Sequence, residues 1–314
     1  MPSVKGKNIL VTGGAGFIGS HVVRALLAEQ HEVTVLDNVS TGTWEHVPVD
    51  DVHRWTMDIR EKRARREIEF SRFDAIVHLA AQTMVDASLK DPYFDADENL
   101  MGTVNILEAA RSSGVQRVVL ASTAAVYGDV AQSRLPLVEE TPLLPLSFYG
   151  FTKMAAEHYL SLYKRNYGLD YVALRFANVY GERQGDKGEG GVISIFAKRI
   201  ARGEGITIFG DGEQTRDFIY AGDVASGILA ALHTENVNTE YNLSTQTETS
   251  LNQLVHLFAE VSGKDLRPQY AEARQGDIRR SMLANEKAKT GLGWEPKVSL
   301  KEGLANTYDY FATK

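Results

Sequence analysis

The chain contains no cysteine among its 314 residues. Disulfides and thiolate metal sites are therefore excluded. It also lacks an excess of basic residues: 34 Lys and Arg stand against 41 Asp and Glu, a formal net charge of −7. A nucleic-acid binder ordinarily shows a basic footprint, so neither nucleic acid nor a membrane surface is expected as a partner. Long apolar runs are missing too. Ile9–Val11 stops at Thr12-Gly13-Gly14, short of the about 7–15 apolar residues of a secretory leader. No window approaches the ~18 residues that span a membrane. The expectation is a soluble, cytoplasmic protein. No two of the eight histidines are four residues apart, so a zinc helix of the HExxH kind is excluded and no metal is expected. Internal repeats and low-complexity linkers are absent as well.

What remains is an ordinary globular composition, 43% hydrophobic and 24% charged, in a chain sized for two domains or one large one. The first half alternates strand-like and helix-like segments. Asn8–Thr12, Glu32–Asp37, His53–Met57, Phe73–Leu79 and Gln116–Ala121 read as strands, with His53–Met57 expected to be buried. Gly16–Glu29, Arg60–Phe70 and Asp91–Ser113 read as helices, the second with a solvated charged face and the last with Asp91 as N-cap and Pro92 at N1. Strands alternating with helices predict an α/β fold with a Rossmann-type, doubly wound parallel sheet. After about residue 176 the rhythm loosens, as expected of a smaller, mixed α/β C-terminal substrate domain. Tyr149–Tyr167, before that point, and Phe196–Arg202, after it, read as helices, and the glycine-rich charged stretch at 182–191 between them reads as a mobile loop. Asp223 and Ser250 are expected to cap helices.

Two local patterns carry chemistry. Thr12-Gly13-Gly14-Ala15-Gly16-Phe17-Ile18-Gly19 follows the first strand and opens the first helix. Glycines there let the backbone turn and approach a pyrophosphate, which the helix N-terminus then holds. The second strand ends in Asp37, 18 residues after Gly19. Its carboxylate suits the adenosine ribose hydroxyls and repels a 2′-phosphate, so NAD is predicted rather than NADP. Asp58-Ile59, after the third strand, is placed to contact adenine.

The second pattern is Tyr149-Gly150-Phe151-Thr152-Lys153, a Tyr and a Lys on one helix face. A free Tyr titrates near 10, and a nearby ammonium together with a positive nicotinamide would favour its phenolate. The phenolate can take a hydroxyl proton while hydride leaves the same carbon. Thr123, in the run Ser122–Gly128 at a strand's carboxyl end, lies 26 residues earlier and can hydrogen-bond the reacting oxygen. The same Tyr/Lys spacing recurs at Tyr310–Lys314, which is expected to be a frayed tail.

With these motifs in view, the chain resembles an extended short-chain dehydrogenase/reductase, and within that family the sugar-nucleotide 4-epimerases of the UDP-galactose 4-epimerase type. The resemblance runs collinearly through TGGAGFIGSH (12–21), DN (37–38), HLAAQ (78–82), STAAVYG (122–128), YGFTK (149–153), LRFANVYG (174–181), GDGEQTRDFIYAGDVA (210–225) and RQGDIRRSMLA (274–284). It implies that Gly13, Gly16, Phe17, Ile18, Gly19, Asp37, Asn38, Asp58, Ile59, Leu79, Ala80, Ala81, Tyr149 and Lys153 bind NAD. Thr123, Tyr149 and Lys153 are implied as catalytic. Thr123, Asn178, Arg216, Arg274, Asp277 and Ser281 are implied as binding the UDP-sugar, the two arginines clamping its diphosphate.

After the catalytic Thr, the related 4,6-dehydratases carry Asp-Glu and the UDP-glucuronate decarboxylases Ser-Glu. Ala124-Ala125 stand here and can move no proton, which favours epimerisation through a transient 4-keto sugar on a tightly bound, regenerated NAD. Ser281 stands where the bacterial enzymes restricted to glucose and galactose have Tyr, leaving room for N-acetylhexosamines or a C6 carboxylate. The resemblance further implies a homodimer through helices 91–113 and 149–167. It also implies an NAD-binding domain over 1–175 with 215–245 returning to it, and a UDP-sugar-binding domain over 176–314, mainly 176–214 and 246–314. The alternatives are a UDP-glucuronate 4-epimerase or another nucleotide-sugar oxidoreductase, and a non-catalytic NAD-binding sensor.

Overall fold

A computed structural model describes residues 6–48, 50–185, 190–273 and 278–314. Asp186–Glu189 of the glycine-rich stretch, and Arg274 and Asp277 of the implied substrate site, lie outside them. The first strand, β1 (Asn8–Thr12), is followed by α1 (Phe17–Ala28), β2 (Glu32–Asp37), β3 (His53–Thr56), α2 (Lys62–Phe70) and β4 (Ala75–His78). Next come α3 (Val85–Lys90), α4 (Pro92–Ala96), a π-turn over Asp97–Met101, α5 (Gly102–Ser113), β5 (Arg117–Thr123), α6 (Phe148–Tyr167) and β6 (Asp170–Phe176).

These strands, joined by β10 (Thr239–Leu243), form one seven-stranded sheet in the order β10-β6-β5-β4-β1-β2-β3. Every pairing in it is parallel. The winding direction reverses between β1 and β4, and the crevice at their carboxyl ends is where open α/β sheets bind ligands.

The apolar runs explain the layering. Strands covered on both faces need apolar side chains on both. Ile9 and Val11 of β1 face the core under α1, while Leu10 faces the one under α2, α5 and α6; Val77 and Ile76 of β4 divide the same way. A smaller unit holds β7 (Asn178–Tyr180), α7 (Val192–Ala201), β8 (Thr207–Phe209) and β9 (Thr215–Tyr220). It also holds β11 (Glu248–Ser250), α9 (Leu251–Ser262) and β12 (Gln269–Ala271). Its core of Ile193, Phe196, Phe218, Leu254 and Phe258 is separate. Between these segments α8 (Ala221–His233) packs on α1, and the chain ends in α10 (Glu286–Leu292) and α11 (Leu300–Ala312). The strand 215–220 thus sits in the three-stranded sheet β11-β9-β7, while 221–243 contributes a helix and an edge strand to the large one. Among the described residues no helix is long and apolar enough to cross a membrane.

Four expectations change. β3 is an edge strand, not a buried one: it pairs only with β2, and His53, Arg54 and Thr56 face solvent. The helix from Asp91 is interrupted by the π-turn, although Asp91 does cap it, accepting from the Phe94 N–H at 3.0 Å. Asp223 does not cap α8, which starts two residues earlier. Its carboxylate instead accepts the N–H groups of Lys297 and Val298, each at 3.0 Å, and so holds the approach to α11. Tyr310 is no frayed tail either. It lies within α11, whose Leu300, Tyr308 and Phe311 pack on the smaller core. Ser250 caps α9 as expected, with a full capping box.

Candidate active site

The glycine loop is shaped by contacts that leave no room for a side chain. Gly13 sits at φ +73° with its N–H on the Leu36 carbonyl at 2.8 Å, and a Cβ there would lie 2.7 Å from the Ala80 nitrogen. A Cβ on Gly19 would lie 2.1 Å from the Gly13 carbonyl oxygen. β1, β4 and α1 therefore meet backbone to backbone. Gly16 is the N-cap of α1, and no side chain caps the first turn of Phe17, Ile18 and Gly19. An uncapped helix start beside glycines is a ready site for a phosphate group, and a dinucleotide pyrophosphate fits this cradle. Leu79 donates to the Thr12 carbonyl at 3.1 Å and Ala80 to the Thr12 hydroxyl at 3.3 Å. With half-buried Ala81, they line the other wall of the crevice.

Asp37 ends β2 almost fully buried. Its carboxylate accepts the Ala15 N–H at 2.9 Å and the Val39 N–H at 2.7 Å. Burial raises its pKa and the two backbone bonds oppose that rise. A carboxylate offers about four acceptor positions, so two remain for a ribose. Asn38 donates to Asp58 at 3.0 Å, and Asp58 also takes Arg60 Nε at 2.8 Å and Nη2 at 2.7 Å. The Arg60 guanidinium holds the Asp58 carboxyl down at about 2. The Asp58 side chain is thus committed to a salt link, and Ile59 turns into the core against Gly102.

Thr123, Tyr149 and Lys153 converge. Thr123 is the last residue of β5, and its Oγ1 accepts the Ala125 N–H at 3.1 Å. Tyr149 lies in the first turn of α6, whose N-cap Ser147 accepts the Gly150 N–H at 3.1 Å. A Cβ on Gly150 would lie 2.6 Å from the Ala125 carbonyl oxygen, so the helix start is pressed against the turn after β5. That approach brings the Tyr149 phenol close enough to the Thr123 hydroxyl for the hydroxyl to favour the phenolate. Burial pushes the Tyr149 pKa up, the Thr123 hydroxyl pulls it down, and Asp95 raises it. Lys153 is buried one turn on, donating from Nζ to the Ala121 carbonyl at 3.0 Å. Burial brings its pKa down to about 8, against the pull of Asp95 and Glu157.

Asp95 is a participant the motifs do not reveal. Among the described residues its fully buried carboxylate takes only neutral donors: Gln82 Nε2 at 2.7 Å, Asn99 Nδ2 at 3.1 Å and Thr152 Oγ1 at 2.9 Å. Glu157, the other acid near Lys153, is already neutralised by Arg175 through bonds of 3.0 and 2.7 Å. Asp95 is therefore the negative charge left to balance the Lys153 ammonium. Asn99 sits in the π-turn, a feature common at functional sites, and donates to the Gln82 carbonyl at 3.0 Å. The chain of bonds continues through Thr103, which donates to the Asn99 carbonyl, to His78. Thr103 has one proton and spends it there, so His78 must donate from Nε2 and accept the Thr12 hydroxyl at Nδ1, 2.7 Å away. Burial keeps that imidazole neutral, with a pKa of about 3.

The described residues implied for the UDP-sugar rest mostly on backbone carbonyls. Asn178 donates to the Asp217 carbonyl at 3.3 Å, and Arg216 from Nη1 to the Thr215 carbonyl at 2.8 Å and the Ile278 carbonyl at 2.6 Å. Asp217 takes N–H groups from Thr245, Gln246 and Leu283, at 3.0 to 3.3 Å. It thereby stitches β9 to the segment carrying half-buried Ser281.

Residues 9–244 match the model of the NAD-dependent epimerase/dehydratase family. The UDP-glucose 4-epimerase of Mycolicibacterium smegmatis is 40% identical over 310 residues, 97% of this chain and 98% of the relative. The solved structure of the Thermotoga maritima UDP-glucose 4-epimerase with UDP-glucose aligns at a TM-score of 0.94 and 42% identity, over 98% of this chain and 99% of that one. The Thermus thermophilus UDP-glucose 4-epimerase in complex with NAD aligns at 0.90 and 42%, over 97% and 98%.

Proposed function

The chain belongs to the NAD-dependent epimerase/dehydratase family, and we propose that within it the protein interconverts UDP-hexoses at C4. It is an enzyme of the epimerase type and its cofactor is NAD. The observation that carries the reading is the Thr123–Tyr149–Lys153 cluster with only Ala124 and Ala125 after the Thr. This set can move a hydroxyl proton at the sugar and has no acid in those two positions for expelling a second group.

In this reading Thr123 hydrogen-bonds the C4 oxygen and Tyr149 takes its proton. Lys153 holds positive charge beside the phenol, and Asp95 keeps that ammonium protonated. NAD, when bound, supplies the acceptor and later the donor of the C4 hydride, and is kept between turnovers. Gly13, Gly16 and Gly19 with the start of α1 would hold its pyrophosphate, and Asp37 its adenosine ribose. Arg216 and Arg274 would take the substrate diphosphate, with Asn178 and Asp277 beside it. Ser281, small and half-buried, favours tolerance of N-acetylhexosamines.

The same proposal includes a cytoplasmic location, the division into NAD- and UDP-sugar-binding parts, and a homodimer. Exposed Phe148, Phe151, Tyr159 and Leu162 on α6, with Tyr93 and Met101 on the preceding helical run, supply the apolar faces for pairing. UDP-[4-²H]glucose tests the chemistry: the product should be UDP-galactose with deuterium retained at C4. Tyr149→Phe should keep fold and NAD content while kcat falls roughly 10³-fold, within the range of lost acid–base catalysis. Label washing out, or unchanged turnover in the variant, would overturn the assignment.

A further inference from the structure

A second cluster lies at the opposite end of the sheet from this chemistry. Glu29 and His31 occupy the turn between α1 and β2, at the amino end of the strands, and His233 is the last residue of α8. We propose that these three side chains form a binding site for one divalent transition metal ion of the zinc class.

The three side chains lie close enough for one ion to reach a ligand atom of each. His233 Nε2 is 2.9 Å from Glu29 Oε2, His31 Nε2 is 3.6 Å from the same oxygen, and one ligand atom from each residue lies within 4.8 Å of the others. Tetrahedral zinc with bonds of about 2.0–2.1 Å places neighbouring ligand atoms roughly 3.3 Å apart, and the two measured separations bracket that value. His31 gives the second, independent indication. Its side chain is 0% exposed, yet among the described residues neither ring nitrogen has a partner that meets hydrogen-bond geometry, Glu29 and the Lys7 backbone acting on it only electrostatically. A buried polar group left so is costly, and a metal ion at Nε2 removes the part of that cost borne by Nε2.

The surroundings favour a cation and select its class. α1 and α8 both end here, and helix C-termini carry partial negative charge. One carboxylate with two imidazoles is a poor match for magnesium or calcium, which want six or more oxygens, but suits zinc, cobalt or nickel. Glu29 and His233 are 39% and 30% exposed, so water can reach the fourth corner. The ligands are 204 residues apart in sequence, beyond the reach of any spacing rule. A metal here would tie the α1–β2 turn to α8 and act on stability; the site holds none of the catalytic residues.

The test uses the untagged full chain with its NAD, treated with a chelator and then titrated with zinc chloride by calorimetry. One Zn²⁺ per chain should bind and raise Tm, Mg²⁺ should do neither, and Co²⁺ should give the intense visible bands of a tetrahedral site. His233→Ala and Glu29→Gln, both at partly exposed positions, should fold, keep their turnover and bind zinc at least tenfold more weakly. A wild-type chain that takes up no zinc would overturn the proposal. So would variants that bind it as tightly as the wild type, which would place the metal elsewhere.

Discussion

The two walls of the active crevice are built differently. On the cofactor side the close contacts are backbone to backbone, Gly13 against Ala80 and Gly19 against Gly13, and the one carboxylate there, Asp37, is pinned by two backbone N–H groups. On the substrate side they are side chain to backbone: Arg216 on two carbonyls, Asn178 on a third. A wall of the first kind is already in its binding shape. One of the second kind must exchange its own carbonyls for a ligand's oxygens. The difference suits a cofactor that stays and a substrate that comes and goes.

Breaking the backbone wall should have the largest effect. In Gly19→Ala the new methyl meets the Gly13 carbonyl at 2.1 Å, a clash only the backbone can relieve. The purified variant should carry no NAD on acid extraction, whereas the wild type should carry NAD and not NADP. A variant that retains its cofactor would show that the close packing is not required. Arg216→Met should leave NAD in place and raise KM for the UDP-sugar. Losing a charge-assisted bond of about 1.5–3 kcal/mol corresponds to roughly 10- to 100-fold. Steady-state kinetics decides this, and a fall in kcat with unchanged KM would place Arg216 outside the diphosphate clamp.

Between the walls, Asp95→Asn probes charge without changing shape. The Asp95 charge raises the pKa of both Tyr149 and Lys153, so its removal lowers both. Both limbs of the pH–kcat profile should then move toward acid, by about one unit for a single nearby charge. A purely structural role for Asp95 would lower kcat and leave the limbs where they are. The smallest effect is expected from Ser281→Tyr, which should depress turnover of UDP-N-acetylglucosamine more than that of UDP-glucose. Equal losses would remove Ser281 as a gate.

The same contrast marks what the sequence made legible. The glycine loop, Asp37 and the Tyr149/Lys153 pair are short-range patterns, and the parallel sheet follows from apolar runs that need cover on both faces. Asp95 was not legible, because Thr152, its partner, lies 57 residues away and is reached only through the fold. The π-turn that places Asn99 leaves no mark in the spacing. Asp223 looked like a cap because it opens an apolar helix, yet its carboxylate serves a segment 74 residues later. The exposure of β3 depends on its place at the sheet edge, which composition does not encode. Tyr310-Lys314 repeats the Tyr149/Lys153 spacing, but Tyr310 lies on the packed terminal helix and Lys314 is exposed beyond its end, so the two do not share a helix face as Tyr149 and Lys153 do.

The most direct test of the whole account is a 4-epimerisation assay over a panel of UDP-sugars with no NAD added. UDP-glucose and UDP-galactose should interconvert on the cofactor the protein already holds, with UDP-N-acetylhexosamines following where Ser281 leaves room. Turnover confined to UDP-glucuronate, or no epimerisation of any UDP-sugar by protein carrying bound NAD, would contradict it.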